Sequence, residues 1–445
     1  MSDAPRGREY LHELSRRGMK PGLERIVELL RRLGDPHLRF RSVHIAGSNG
    51  KGSTAAYLAA ALRFAGLRVG LFTSPHLQRY NERIRINEEP ISDEALSALV
   101  ERIRPLAAGI AAVHGAPTEF EVGTALAFAH FAEQAVDVAV VETGLGGRLD
   151  ATNVLDPLLA VITPITLDHT ETLGSTLSAV AGEKAGIIKS GRPVVMAPQP
   201  PEAQEVLLTV AQREGAEPVL VRPDGQPMLP HRTHRFTPVE WSGEGGTVRV
   251  TYADGPVATY RVRMLGGHQL ENAAVAAAAA RELVRAFPRL TDEAVAEALS
   301  STTVPGRLEV VRTDPMVLLD GAHNPLGAER LAEALHQLFA GRPVTLVCGI
   351  SKDKPARDIV ARLAPAADRF IATEPSSTRL GCWPAAELVA LAKAAGNNAA
   401  RAVPDPLAAV QHALAVTDES GIVCVTGSLY LVGEVRATLV TRPAS

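Results

Sequence analysis

Only three cysteines occur in the 445 residues, Cys348, Cys382 and Cys424, widely spaced and all in the last quarter. That usage excludes a disulfide framework and a paired-cysteine metal site, and it fits a reducing compartment. Long apolar runs are also missing. No uncharged stretch reaches the ~18 residues of a membrane span, and the opening Met1-Ser-Asp-Ala-Pro-Arg-Gly-Arg-Glu9 is too charged for the apolar core of a secretion signal. Nor is there an excess of charge of one sign. Lys plus Arg number 46 against 49 Asp plus Glu, a formal charge of -3, so no whole-chain field attracts nucleic acid. The expectation is a cytoplasmic protein that binds neither nucleic acid nor membrane and holds any anion locally.

Apolar residues make up 46% and charged residues 21%, the balance of a packed globular protein. The length exceeds what one ordinary core supports and predicts two domains. Short Val/Ile-rich runs at 43–46, 69–72, 136–141 and 158–162 alternate with Ala/Leu segments of helical period, which predicts βαβ units around a mostly parallel sheet. Residues 219–264 are richer in Pro and Gly and alternate in polarity, which predicts a small antiparallel insertion. After an Ala-rich helix over 269–286, the Pro-Gly of 301–307 marks a linker. Strands then resume at 317–319, 344–348, 369–372 and 422–425, with helices at 328–339 and 385–394. The predicted fold is α/β: a P-loop-type, mostly parallel N-terminal ATPase domain over 1–300, a linker at 301–307, and a smaller Rossmann-like C-terminal domain over 308–445.

Chemistry concentrates where strands end. His44-Ile-Ala-Gly-Ser-Asn-Gly-Lys-Gly-Ser-Thr54 joins a predicted strand to a helix. The glycines Gly47, Gly50 and Gly52 let backbone N–H groups face a phosphate, and Lys51 adds a point charge. The strict G-x-x-x-x-G-K-[ST] spacing is not met, because Gly47 and Gly50 stand too close and Gly52 separates Lys51 from Ser53. Ser74, Glu142 and His169 follow or end three further strands, on the edge where ligands of parallel sheets bind. Hydroxyl, carboxylate and imidazole there suit Mg²⁺ sharing its shell with phosphates, although each residue alone is as easily a cap or a structural hydrogen bonder. Glu183-Lys-Ala-Gly-Ile-Ile-Lys189 reads locally as an amphipathic helix with solvated lysines.

Taken in order, Gly47-Ser-Asn-Gly-Lys-Gly-Ser53, Thr73-Ser-Pro-His-Leu77, Glu82-Arg-Ile-Arg-Ile-Asn87, Gly144-Leu-Gly-Gly-Arg-Leu-Asp-Ala-Thr-Asn153, Glu183 through Lys189 and Asp320-Gly-Ala-His-Asn-Pro325 span nearly the whole chain. Together they resemble the folylpolyglutamate synthase and dihydrofolate synthase branch of the Mur ligase superfamily. The resemblance implies that Gly47, Asn49, Gly50, Lys51, Gly52 and Ser53 bind the phosphates of ATP, and that Ser74, Glu142 and His169 surround Mg²⁺. It implies that Lys184 is carbamylated, which would turn a cation into a metal-directed acid, while Lys189 stays a solvated helix-end lysine. Asn272, in Gly266-Gly-His-Gln-Leu-Glu-Asn272, would meet adenine, and Arg307 of Pro305-Gly-Arg307 and Asp320 would meet the nucleotide. Lys51, Lys184, Asp320 and His323 are the expected catalytic set, with His323 either orienting the amino acid or assisting proton removal.

Thr73, Pro75, His76, Phe120 and Asp150 are placed near the folate end. Phe120 reads equally as a core residue at a helix start, and Ser428 either faces glutamate or caps a helix. Ser48 stands where the family has threonine, and Ser351 replaces the first acid of its Asp-Lys-Asp. The activity implied is ATP-driven ligation of L-glutamate to a folate or dihydropteroate by a monomer. Alternatives are another Mur-type amino-acid ligase, or a P-loop binding module without ligase chemistry. The second would leave Ser74, Glu142, His169 and the 320–325 segment unexplained.

Overall fold

A computed structural model describes residues 4–15, 18, 20–227, 229–376 and 381–440. The chain divides into two compact units, one of Met1–Pro238, Val248–Arg261 and Glu271–Thr302, the other of Val239–Thr247, Val262–Leu270 and Thr303–Ser445.

The first sheet has eleven strands. At its middle lies Arg41–Ala46, buried from Ser42 onward, between Val138–Glu142 and Leu159–Ile162. All three are parallel, with Val43 opposite both Val140 and Leu159. Burial on both faces explains why these strands read as mostly apolar runs rather than as alternating ones. The chain leaves Arg41–Ala46 for Val69–Phe72 on one side and later crosses to Leu159–Ile162 on the other. The loop after Ala46 therefore opens at a point where connections diverge, the place where open α/β sheets bind ligands. Ile84–Ile86 and Glu89–Pro90 close that edge in antiparallel fashion.

The antiparallel piece expected over 219–264 is part of the main sheet: Arg232–Ser242, Gly245–Thr251 and Val257–Val262 are neighbouring strands joined by links too short for a parallel crossover. Glu217–Pro223 pairs in parallel with Pro193–Met196, Arg232–Ser242 pairs in parallel with Glu217–Pro223, and Gly245–Thr251 and Val257–Val262 carry the same sheet to its edge. The polarity alternates because these outer strands bury one face only, which single-sided strands of either direction do.

The second sheet has six strands, with Met316–Leu319, Ile422–Thr426, Val344–Cys348, Arg369–Ala372 and Arg401–Ala402 parallel and Glu309–Thr313 an antiparallel edge. Its core joins Leu318, Leu346, Phe370 and Cys424 to helix residues Leu331, Ile359 and Leu388. Helix Ala385–Ala394 has the predicted bounds. Among the described residues, no helix is long and apolar enough to cross a membrane.

Candidate active site

In the first unit the loop after Ala46 turns sharply into helix Lys51–Phe64. Gly50 has φ +86°, and a Cβ there would lie 2.4 Å from Asn272 Oδ1, so only glycine fits and Asn272 is set directly against the loop. Gly47 abuts Thr163 in the same way, a Cβ meeting its hydroxyl at 1.8 Å. Ser48 Oγ donates to the Thr166 carbonyl at 2.9 Å and accepts from the Thr166 N–H at 3.0 Å. A hydroxyl is all that position needs, which accounts for serine in place of threonine.

Two amines converge on one carbonyl. Lys51 Nζ donates to Gly47 O at 3.0 Å and Lys184 Nζ to the same oxygen at 2.8 Å. Lys184 is buried, 4% exposed. Burial first, and the Lys51 cation second, pull its pKa down to about 7, against weaker support from Asp168 and Asp150. The surface-lysine reading is thus wrong here. So is the single helix: Leu177–Lys184 is α-helical and Ala185–Ile187 forms a 3₁₀ turn. Lys189 is not solvated either. It is half-buried, donates to Asn153 O at 3.1 Å, and has its pKa lowered by burial.

Glu142 ends its strand buried, 3.9 Å from Lys51 Nζ, and accepts the Ser74 N–H at 3.1 Å. His169 lies on the loop beyond Leu159–Ile162, where its backbone N–H bonds Asp168 Oδ1 and its Nε2 stands 3.8 Å from the same oxygen. Among the described residues no three His, Cys, Asp or Glu side chains converge on one point. The donors present are hard oxygens, one carboxylate and one serine hydroxyl beside a phosphate-type loop. That set fits Mg²⁺, which takes few protein ligands and completes its shell with water and phosphate.

The loop Thr73-Ser-Pro-His-Leu77 is held from beneath. Thr73 N donates to Arg83 O, and Glu82 accepts the N–H groups of Leu77, Gln78 and Arg79. Pro75 is exposed after a cis peptide bond. His76 Nδ1 accepts from Arg83 Nε at 2.9 Å, which leaves its proton on Nε2, and burial with Arg83 lowers its pKa to about 4. Phe120 sits half-buried with its ring 5.8 Å from Phe72 and against Gly144, where a Cβ would meet the ring at 2.5 Å. Its helix starts with a capping box, Thr118 to Glu121. The buried Glu121 also accepts from Arg25 Nε at 2.9 Å. Asp150 is saturated: Oδ2 accepts the N–H groups of Gly144 and Leu145, and Oδ1 accepts the N–H and hydroxyl of Thr152.

In the second unit Asp320 ends a buried strand. Its Oδ2 accepts the Leu308 N–H and its Oδ1 the Ala322 N–H, both at 2.9 Å. Burial raises its pKa, opposed mainly by Arg307. His323 Nδ1 lies 2.8 Å from Gly321 O, so Nδ1 carries the proton. Asn324 caps helix Pro325–Leu338, and buried Ser428 caps Leu429–Leu439 by accepting the Tyr430 N–H at 3.1 Å. Ser351 is buried, and its backbone pairs with that of Cys382 in an isolated antiparallel β-bridge.

The Mur ligase middle domain matches residues 45–280, and the Mur ligase glutamate ligase domain matches 306–429. A Bacillus subtilis dihydrofolate synthase/folylpolyglutamate synthase is 39% identical over 439 residues, covering 97% of this chain and 98% of that one. This chain belongs to the folylpolyglutamate synthase/dihydrofolate synthase family of Mur ligases. A Mycobacterium tuberculosis folylpolyglutamate synthase complexed with ADP and AMPPCP superimposes with a TM-score of 0.88 at 34% identity, covering 99% of each chain. Escherichia coli FolC in complex with DHPP and ADP gives 0.85 at 28% identity, over 98% of this chain and 97% of that one.

Set beside the motifs of this ligase family, the residues missed by sequence reasoning are the supports. Glu82 and Glu121 each stand three residues after the residue they cap, a spacing that could have been read. Thr163, and the pair of Glu309 with Arg436, show only in three dimensions.

Proposed function

We propose that this ligase couples L-glutamate to tetrahydrofolate-type folates and to dihydropteroate, through an acyl phosphate, releasing ADP and phosphate. The convergence of Lys51 and Lys184 on Gly47 O, beside a buried Glu142, is the observation that carries this reading. Lys51 would supply the positive charge that phosphoryl transfer needs to neutralise the moving group, and Lys184, buried against the same carbonyl, is pulled toward its neutral form.

A carboxylate does not exchange oxide for an amine. Transfer of the γ-phosphoryl group to the folate carboxylate forms a C–O–P mixed anhydride and leaves ADP. The amino group of glutamate then attacks the acyl carbon, the C–O bond to phosphate breaks, and the ammonium proton is lost. Lys51 would hold charge on the transferring phosphoryl group. Gly50 and Gly52 keep the backbone open to it, Arg307 and Asp320 would bind the nucleotide in the second unit, and Asn272 would meet the base. Ser74 and Glu142, with His169, would hold Mg²⁺, which would supply positive charge to offset that of the phosphates. Lys184, with a pKa near 7, is partly neutral at neutral pH, and the neutral amine is the form that adds CO₂ to become a carbamate. His76, neutral with its proton on Nε2, and Phe120 against Gly144 would offer one donor and one apolar face for the pterin side.

Phosphate release from ATP with Mg²⁺ and glutamate tests this, with dihydropteroate and tetrahydrofolate supplied separately. Release with both acceptors, as ADP and dependent on glutamate, is expected. AMP as product, or release indifferent to glutamate, would defeat the reading.

A further inference from the structure

The turn Pro305-Gly-Arg307 is held by hydrogen bonds on several of its backbone groups. Arg307 N donates to Val304 O at 3.2 Å, Gly306 O accepts the Gly321 N–H at 2.8 Å, and Leu308 N donates to Asp320 Oδ2 at 2.9 Å. Gly306 has φ +71° and Leu308 φ +46°, so two successive departures from ordinary backbone flank Arg307. A leucine in that region holds its conformation only when its surroundings fix it.

The remaining donor, Gly306 N–H, goes to Glu309 Oε2 at 2.9 Å. Glu309 in turn is gripped by Arg436, with Nε 3.0 Å from Oε2 and the terminal nitrogen 2.6 Å from Oε1. This is a two-pronged guanidinium–carboxylate pair, the geometry that fixes orientation as well as charge. Arg436 lies two turns along the helix Leu429–Leu439, the one that Ser428 caps. A cavity of about 360 Å³ runs along the same flank, lined in part by Arg307, Leu308, Glu309 and Arg436. Leu308 itself packs into the core of the second unit, so the ion pair braces the turn on its open side.

We infer that Glu309 and Arg436 are positioning residues for Arg307: they hold the turn that aims its guanidinium and sets the Leu308 N–H on Asp320. The inference rests on Arg307 acting at the nucleotide, as proposed above. Neither residue touches the reacting atoms. What sets Glu309 apart from an ordinary surface ion pair is its second job, accepting a backbone N–H, which a cation cannot do.

That difference supplies the test. In the full-length enzyme, Glu309→Ala should raise the KM for ATP and lower kcat/KM for ATP on the order of 10- to 100-fold, the cost of a misplaced binding group. Glu309→Gln keeps an acceptor for Gly306 N–H and should retain most activity. The double exchange Glu309→Arg with Arg436→Glu restores an ion pair but not the acceptor. It should recover melting temperature relative to Glu309→Ala while kcat/KM for ATP stays low, and ADP affinity by calorimetry should follow kcat/KM. If the exchange recovers both, the pair only stabilises the fold and the inference fails. Arg307→Ala, run in parallel, separates the two readings. An unchanged KM for ATP there would overturn the nucleotide role of Arg307 and this inference with it. A raised KM with Arg307→Ala but not with Glu309→Ala would overturn the positioning role alone.

Discussion

Both units end parallel strands in loops that carry the proposed site residues, but they fill those loops with opposite charge. In the first, two lysine amines share a single carbonyl and one buried carboxylate stands beside them. In the second, a buried aspartate takes two backbone N–H groups, with Arg307 as the charge that steadies it. In the first arrangement Lys51 is the charge that a phosphate would meet, while Lys184 is pulled toward its neutral form. The second is already satisfied internally, so its carboxylate serves by holding a loop in shape as much as by meeting a ligand. A cationic centre therefore fails when its charge is removed, and a satisfied carboxylate fails when its geometry is removed.

The sharpest way to break that contrast is at Lys51. Replacement by Met should cut kcat for ATP-dependent phosphate release by about 10²- to 10³-fold, as expected for a lost electrostatic group, with little change in melting temperature. A large fall in melting temperature with activity retained would place Lys51 among the structural residues. Next comes Gly50→Ala, which forces a Cβ at positive φ into Asn272. It should weaken ADP binding by calorimetry roughly tenfold or more and destabilise by about 1–3 kcal/mol. Asp320→Asn tests the other side of the comparison. One amide N–H₂ would face the Leu308 or Ala322 N–H, so thermal unfolding should show a loss of about 1–3 kcal/mol, a structural effect that Lys51→Met lacks.

The smallest expected effect sharpens the contrast through pH. Lys184 has a pKa of about 7 in the folded chain against the ordinary 10.5. Between those values the unfolded chain carries a proton that the folded chain does not, so this residue makes stability rise with pH from about 7 toward 10.5. In CO₂-free buffer, denaturant midpoints should climb across pH 7 to 9 more steeply for the native protein than for Lys184→Met. Equal slopes would mean that Lys184 is not held in a depressed state.

Much of this was legible before any coordinates. The strands at 43–46, 69–72 and 344–348 betray themselves as short, mostly apolar runs, and the Gly47 to Ser53 loop by its closely spaced glycines. Helix Asp93–His114 escaped because Pro105 interrupts its pattern. Lys184 could be placed only through the family motif. Its burial comes from Gly147, where a Cβ would stand 2.8 Å from the carbonyls of Glu183 and Lys184, and from Gly186 against Arg148, contacts between segments far apart in sequence. The parallel direction of Arg232–Ser242 was equally hidden, since alternation reports one buried face and not strand sense. Glu309 and Arg436 are 127 residues apart, and nothing local to either points to the other.

If the folate binds where we propose, the saturation of Asp150 bears on inhibitor design. A buried carboxylate near that proposed site invites a basic group, an aminopyrimidine for instance, to be aimed at it. Here its acceptor positions are taken by three backbone N–H groups and a threonine hydroxyl. A compound reaching for Asp150 would have to unseat the Gly144 loop to gain one contact, and affinity is better sought from the Phe120 ring and the His76 Nε2–H.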